Sequence, residues 1–390
     1  TQDQYDESLA DDVYSRIQAA QEKNSSTENT VYTYFEDELT DQIINDLMNI
    51  KGYTKTQATN LLYSGGLKVY TTQDSTIQNI LDEEYSDPSN YPDTVQYELD
   101  YALTVTDPDG NQVNYSKEML QLYFQNEDPS FDLLFDSPEE GQTYVDRYKA
   151  DIVANGSKVV AERVNFAPQP QSSMSVIDQH TGYVKALIGG RGEKTASLTL
   201  NRATDTTRQP GSTFKIITTL EYIRENPDYE NYSYSCNGSI TENDFTIHCY
   251  NNAVHGTQDL KQSFANSCNS SYANIGLSLD TDSLSDLCSD LMFDKTLPGN
   301  FETSKSQFKL TDESPESMKM QTAIGQGETL VTPLHMLLIT SAIANDGILM
   351  KPYVVDHTEN ENGIEVKKYE PAASKQLLSE KEAKTMQEFM

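Results

Sequence analysis

A serine and a lysine near the middle of the chain have the spacing of an acyl-transfer site. Ser212 and Lys215 are three residues apart, so on a helix both side chains lie on one face, one turn apart. A serine hydroxyl is a weak nucleophile until a base removes its proton, and a lysine can be that base when burial lowers its pKa. Pro210 and Gly211 precede the serine and predict a helix N-terminus there, where free backbone N–H groups favour an oxyanion.

A second polar pair supports this interpretation, because Ser-x-x-Lys alone occurs by chance and is equally typical of a helix-capping serine with a solvated lysine. Ser267 and Asn269 lie on a predicted polar tip between two helices. A second serine can pass a proton to a leaving amine, and an asparagine can bind a substrate carbonyl and hold the lysine. Ser-x-x-Lys followed by Ser-x-Asn is the order of the first two motifs in serine β-lactamases and penicillin-binding proteins, whose third motif is Lys-Thr-Gly.

Residues 208–215, which read RQPGSTFK, resemble the active-site motif of class A penicillin-binding proteins. Further segments resemble the same family in the same order along the chain: 65–72, 189–191, 201–204, 267–269, 325–327, 331–334 and 344–347. The segment 65–72 resembles the linker between the two catalytic domains of class A proteins. The resemblance covers residues 33–85 and about 170–390.

The resemblance implies a peptidoglycan D,D-transpeptidase that works through a serine acyl-enzyme. Ser212 would attack the carbonyl between the two D-alanines of a stem peptide, and Lys215 would take its proton. Ser267 would help to protonate the departing D-alanine, and Asn269 would bind the substrate amide. The acyl group would then pass to an amine of a neighbouring stem peptide, which completes the cross-link.

The resemblance also implies how substrates and inhibitors bind. Ser267 and Asn269 would contact the substrate, together with Gly325, Gln326 and Gly327. Penicillins and other β-lactams would acylate Ser212, and the acyl group would be released from the serine only slowly. One oxyanion donor would be the backbone N–H of the nucleophile itself, and the resemblance implies no cofactor and no metal.

The third motif, Lys-Thr-Gly, does not occur in the 390 residues. In the family it lies on a core strand beside the nucleophile, where it binds the substrate carboxylate, and residues 378–390 resemble the helix before that strand. The motifs of a glycosyltransferase domain are also missing. We therefore expect a chain truncated on both sides, inactive alone and poorly folded in its second half because sheet partners are lost.

The expected parent is bifunctional. It would polymerise glycan strands from lipid II and cross-link them. One N-terminal helix would anchor it as a single-pass protein at the extracellular face of the bacterial cytoplasmic membrane.

The elements that must position these residues predict an α+β protein with the penicillin-binding or β-lactamase-like transpeptidase fold, an antiparallel sheet with helices. Residues 1–85 predict a linker of helices and one strand, including a helix marked by Leu9, Val13 and Ile17 at every fourth position. Residues 86–170 predict a small acidic α+β insert of unknown role. Residues 171–390 predict the incomplete transpeptidase domain, with strands first and a block of helices after them.

The charge and the cysteines exclude several classes of partner. The net charge is −33, most of it within residues 1–170, which argues against nucleic acid and anionic lipid as partners. Cys236 and Cys249 flank a predicted hairpin, and the sequence leaves open whether they pair. His248 and His255 lie near them, but the spacing fits no standard structural zinc site, so we expect no metal.

Three other functions are also compatible with the Ser-x-x-Lys pair. A β-lactam-binding sensor would be expected to have a signalling domain rather than the linker-like segment 65–72. A β-lactamase needs a base for a deacylating water, and no glutamate is suitably placed. An inactive structural homologue would explain the missing third motif.

Overall fold

The computed structural model describes residues 31–92, 95–194, 196–299 and 302–390. The helix that the sequence predicts around Leu9, Val13 and Ile17 lies outside these residues. Within them, no helix combines the length and apolar character needed to cross a bilayer.

Residues 31–92 form three helices and one strand that pack against the C-terminal half of the chain. The elements are α1 (Tyr34–Lys51), α2 (Lys55–Ser64), β1 (Lys68–Thr71) and α3 (Ser75–Ser86), followed by a short 3-10 turn (Pro88–Asn90). Thr33 and Thr54 begin α1 and α2 with capping boxes, in which the threonine and the residue three positions later satisfy each other's backbone N–H groups. The buried face of α1 shares one apolar core with Val184 and Val354, so this segment has no separate core.

Residues 96–169 form an antiparallel sheet covered by two helices. The elements are β2 (Gln96–Thr106), β3 (Gln112–Ser116), α4 (Lys117–Gln125), β4 (Leu134–Phe135), α5 (Pro138–Val153) and β5 (Lys158–Gln169). Strand β2 is central and pairs with β3, β4 and β5. Leu99, Tyr101, Leu103 and Val105 alternate along β2 and are buried in a core that this unit does not share. These residues thus combine an antiparallel sheet with two helices on a core of their own.

The remaining residues form short antiparallel sheets around a block of helices. The strands are β6 (Met174–Ile177), β7 (Val184–Ile188), β8 (Tyr234–Cys236), β9 (Ser239–Glu242), β10 (Phe245–His248), β11 (Gly256–Gln258), β12 (Ile348–Met350), β13 (Val355–Glu359), β14 (Glu365–Lys368) and β15 (Ala373–Gln376). The helices are α6 (Lys215–Glu225), α7 (Leu260–Ala265), α8 (Asn269–Ser278), α9 (Thr281–Asp290), α10 (Glu316–Ala323), α11 (Pro333–Ala344) and α12 (Glu380–Phe389). Short 3-10 turns span Gly211–Phe214, Tyr229–Asn231 and Tyr250–Asn252.

The largest core lies among these helices and holds the elements that carry the candidate site. Phe214 and Ile217 from the start of α6, Tyr272 from α8 and Leu338 from α11 are at most 1% exposed within it. Strand β1 pairs with β13, nearly 300 residues later (Val69 opposite Thr358), and thereby joins the N-terminal segment to this block. The combination of antiparallel sheets with a separate block of helices confirms the α+β class. Strands do not all come first, however, because β12–β15 follow the helical block.

Candidate active site

The helix predicted after Pro210 begins with one 3-10 turn, which presents Ser212 to solvent. The turn spans Gly211–Phe214 and continues directly into α6. Phe214 is fully buried against Phe293 and Phe308. Its ring therefore anchors the turn in the core, whereas the Ser212 side chain is exposed.

Ser267 and Asn269 lie at the predicted tip between two helices. Asp259 caps α7, and the chain turns at Ser267, whose φ of 47° is left-handed, before Asn269 begins α8. The Ser267 hydroxyl donates to Ser212 Oγ over 2.9 Å. Asn269 Nδ2 donates to the backbone oxygen of His248 over 3.1 Å, which orients its Oδ1 in the opposite direction.

Lys215 connects all three of these residues. Its Nζ lies 3.1 Å from Ser212 Oγ and 2.9 Å from Ser267 Oγ. It also donates to Asn269 Oδ1 over 2.7 Å and to the backbone oxygen of Ser267 over 2.8 Å. The structure therefore brings the four predicted side chains together around one amine.

Burial shifts Lys215 toward the neutral amine. The residue is 1% exposed, and burial lowers its pKa to about 8. A neutral amine has two N–H groups, and Asn269 Oδ1 and the Ser267 backbone oxygen accept both. Its lone pair is then directed toward the hydroxyl groups, as a proton acceptor requires.

Gly325, Gln326 and Gly327 lie against the turn that carries the nucleophile. The Gly211 N–H donates to the Gly325 oxygen over 2.8 Å, and Gln209 Nε2 donates to the Gly327 oxygen over 2.8 Å. A Cβ at Gly325 would lie 2.0 Å from the Gly211 oxygen, so only glycine permits this approach. The Gln326 side chain is exposed beside the turn.

A second cluster, made of three cysteines and one histidine, lies next to this site. Cys236, Cys249, Cys268 and His255 converge so that their ligand atoms all lie within 4.8 Å of one another. We expected no metal because the linear spacing fits no standard motif. The four residues come from separate strands and turns that tertiary packing joins, and linear spacing does not report such a site. His248, the other histidine considered, contributes only its backbone oxygen to the contacts described.

A family model described as the penicillin binding protein transpeptidase domain matches residues 173–390, more than half of the chain. The chain belongs to this family. The penicillin-binding proteins among its relatives include "Peptidoglycan D,D-transpeptidase PbpA" of Mycolicibacterium smegmatis, which is 29% identical over 197 residues, 49% of this chain and 40% of the relative. "Penicillin-binding protein 1A" of Clostridium perfringens is 28% identical over 195 residues, 50% of this chain and 16% of the relative.

A third relative is "Stage V sporulation protein D" of Bacillus subtilis, 32% identical over 184 residues, 46% of this chain and 28% of the relative. The chain thus matches less than half the length of these curated relatives. The family assignment therefore rests on the family model, and the class A assignment stays a prediction.

Solved structures of penicillin-binding proteins share the fold. Penicillin-binding protein A of M. tuberculosis, as an acyl-enzyme complex, superposes with a TM-score of 0.51 at 22% identity over 56% of this chain and 55% of that one. The D,D-transpeptidase domain of a peptidoglycan glycosyltransferase from Eggerthella lenta has a TM-score of 0.51 at 19% identity over 74% of this chain and 77% of that one. The prediction of a penicillin-binding transpeptidase fold is confirmed.

Proposed function

We propose that the protein to which this chain belongs carries out peptidoglycan D,D-transpeptidation through an acyl-enzyme on Ser212. The observation that supports this most directly is the single buried amine of Lys215 within 3.1 Å of Ser212 Oγ, Ser267 Oγ and Asn269 Oδ1. A solvated lysine beside a capping serine would show neither the burial nor the three convergent contacts.

In the acylation step, Lys215 Nζ accepts the hydroxyl proton of Ser212 while Ser212 Oγ bonds to the carbonyl carbon of the D-Ala-D-Ala bond. The tetrahedral oxyanion forms at the start of the turn and helix that follow Pro210, where backbone N–H groups carry positive potential. The C–N bond then breaks, and the departing D-alanine amine takes a proton through Ser267, whose hydroxyl already contacts both Ser212 and Lys215. The product is an ester on Ser212.

The second half-reaction reverses these roles. An acceptor amine loses a proton to the Ser267 and Lys215 pair, attacks the ester carbon and releases Ser212 Oγ, which regains its proton. Asn269 Oδ1 holds Lys215, and in this proposal the remaining N–H of its amide binds the substrate peptide, together with residues 325–327. A β-lactam would follow the first half-reaction and stop at the ester. None of these steps uses a cofactor.

We further propose that the natural protein is a class A, bifunctional enzyme. Residues 65–72 resemble the class A linker, and the solved domain with the larger coverage is described as part of a peptidoglycan glycosyltransferase. Its coverage of 74% extends beyond the length of residues 171–390, so the likeness reaches into the linker or the insert. A glycosyltransferase domain acting on lipid II and a single N-terminal membrane anchor at the outer face belong to this proposal. The domain boundaries at residues 85 and 170 are also part of this proposal.

Labelling with a fluorescent penicillin, followed by intact mass measurement, tests the nucleophile. The full-length protein should gain one penicillin on Ser212, and Ser212→Ala should gain none. Ser235→Ala, which removes an exposed hydroxyl that contacts only Thr257 among the contacts described, should label normally. Labelling of Ser212→Ala at the normal rate would refute the assignment.

A rival proposal, a β-lactam-binding sensor or inactive scaffold, follows from the absence of Lys-Thr-Gly in these 390 residues. Release of D-alanine from a stem-peptide mimic separates the two, because a sensor binds penicillin but releases no D-alanine. We expect release from the full-length protein and none from the 390-residue chain alone, where no third motif binds the substrate carboxylate.

A further inference from the structure

Three cysteines and one histidine form a compact, largely buried cluster beside the candidate active site. Cys236, Cys249 and Cys268 are at most 2% exposed, and His255 is half-buried. We propose that these four residues bind one Zn²⁺ ion as a closed structural site.

Three of the six distances between the donor atoms match the edges of a tetrahedral zinc site, and all six are within 4.8 Å. A Zn–S bond of about 2.3 Å and a tetrahedral angle put two sulfur ligands about 3.8 Å apart. Cys249 Sγ lies 3.7 Å from Cys236 Sγ and 3.7 Å from Cys268 Sγ. Cys236 Sγ lies 3.4 Å from His255 Nδ1, and the mixed sulfur–nitrogen edge of such a tetrahedron is about 3.6 Å.

Separate backbone pairings hold the four ligands in place. Strand β8 pairs with β11 so that Gly256 lies opposite Cys236, which brings His255 alongside. The Cys249 N–H donates to the Gly238 oxygen over 2.8 Å, and Cys268 precedes the first turn of α8. The donor atoms therefore do not depend on one flexible loop.

Hydrogen-bond donors around the sulfur atoms fit thiolate ligands. The Ser270 hydroxyl is fully buried, donates to Cys236 Sγ over 3.2 Å and lies 3.4 Å from both Cys249 Sγ and Cys268 Sγ. The Gly238 N–H also donates to Cys236 Sγ, over 3.4 Å. Three adjacent thiolates need a cation to balance their charge, and a divalent metal supplies it.

The ligand set selects the metal and its role. Three thiolates and one imidazole favour zinc over calcium or magnesium, which prefer oxygen. Because protein atoms fill all four positions, the site has no opening for a substrate or a reactive water. A Cys236–Cys249 disulfide is the competing state, and its S–S bond of about 2.05 Å would require the sulfurs to move closer by well over 1 Å.

The site adjoins the catalytic tip, and this part of the inference rests on the proposed function. Cys268 stands between Ser267 and Asn269, and Cys249 follows His248, whose backbone oxygen binds the Asn269 amide. Zinc would thus fix Cys268 within the tip that carries Ser267 and Asn269, and Cys249 beside the backbone oxygen that binds the Asn269 amide. The four ligands would be positioning residues.

Metal content and cobalt spectra of the full-length protein test the site without reference to activity. We expect about one zinc per chain, and exchange with Co²⁺ should produce thiolate charge-transfer and tetrahedral d–d bands. Cys236→Ser and His255→Ala should lose the metal and the bands. Cys288→Ala is the matched control, because Cys288 is buried in the helical core and belongs to a different cluster. Ser270→Ala, which removes a hydroxyl from the sulfurs, should weaken zinc affinity by about 10–100-fold.

Two results would overturn the proposal. One is a folded wild-type protein that binds neither Zn²⁺ nor Co²⁺ after thiol reduction, and the other is a Cys236–Cys249 disulfide that persists in the protein isolated from cells. Removing zinc with a chelator should also lower the melting temperature and slow penicillin acylation. Zinc bound without any effect of its removal on acylation would refute the positioning role alone. A zinc-loaded protein that never reacts with penicillin would refute the proposed function and leave the metal site standing.

Discussion

The hydroxyl oxygen of Ser267 lies 2.9 Å from the hydroxyl oxygen of Ser212. The two serines come from different helical segments, and both contact the same amine of Lys215. A proton can therefore move between the nucleophile, the amine and the second serine without a bridging water.

Removing the Ser267 hydroxyl should slow acylation of Ser212 by about 10²–10⁴-fold, the usual size of a general acid–base contribution. Ser267→Ala and Ser267→Gly both remove the hydroxyl, but glycine tolerates the φ of 47° without strain. This prediction is tested by measuring the rate of penicillin acylation and the thermal melt of both variants. Equal losses assign the effect to the hydroxyl, whereas normal acylation by Ser267→Gly would show that the hydroxyl is not required.

Acylation should depend on the protonation of Lys215. Because burial lowers its pKa to about 8, the neutral amine that accepts the Ser212 proton is scarce below this pH and dominant above it. The penicillin acylation rate should rise about tenfold per pH unit below about pH 8 and then level off.

Lys215→Met should lose this pH dependence together with about 10²–10⁴-fold of the acylation rate. Lys381→Met, on the exposed surface of α12, is the control and should keep the wild-type profile. A flat profile in the wild-type protein would argue against Lys215 as the base.

Gly325→Ala should destabilise the protein and displace the nucleophile. The added Cβ would lie 2.0 Å from the Gly211 oxygen at a φ of +72°, so we expect a loss of about 2–4 kcal/mol in unfolding free energy from overpacking and strain. Gly327→Ala is a matched control with a φ of +76° and no neighbour closer than 3.4 Å. Chemical denaturation and acylation rates should separate the two variants, and equal effects would mean that the approach to Gly211 carries no special cost.

Glu38 should make folding stability fall as pH rises. Burial raises its pKa to about 7 from the usual 4.5, with the nearby charges of Asp205 and Asp41 adding to the shift. The folded state therefore binds more protons than the unfolded state between pH 4.5 and 7, so stability decreases across that window by up to about 3 kcal/mol.

Glu38→Gln keeps an oxygen for Asn201 and Thr204, which donate to Glu38 Oε1 over 2.8 and 2.9 Å, and should flatten this dependence. Denaturant unfolding at pH 5 and at pH 8 measures this pH dependence of stability. Glu83→Gln, on the exposed face of α3, should leave the pH dependence intact. If both variants behave alike, Glu38 is not the source.

The sequence by itself determined the family and the local parts of the site. Ser212 and Lys215 are one helical turn apart, so their proximity follows from helix geometry alone once Pro210 and Gly211 set the start. The polar tip at 267–269 was also predictable, because turn residues are a local signal. The meeting of Ser267 and Asn269 with Lys215 came from the resemblance to known proteins, since no spacing rule joins residues more than 50 positions apart.

Only the tertiary structure decided which distant residues meet. Pairing of β1 with β13 joins the N-terminal segment to the helical block, and burial of Glu38 against Asn201 and Thr204 depends on that junction. The three cysteines and His255 meet for the same reason, through strand pairing and helix placement. Local spacing encodes the direction of a side chain, whereas a shared core and long-range backbone pairing determine its neighbours. The cluster of Cys236, Cys249, His255 and Cys268 therefore becomes visible only in the folded chain.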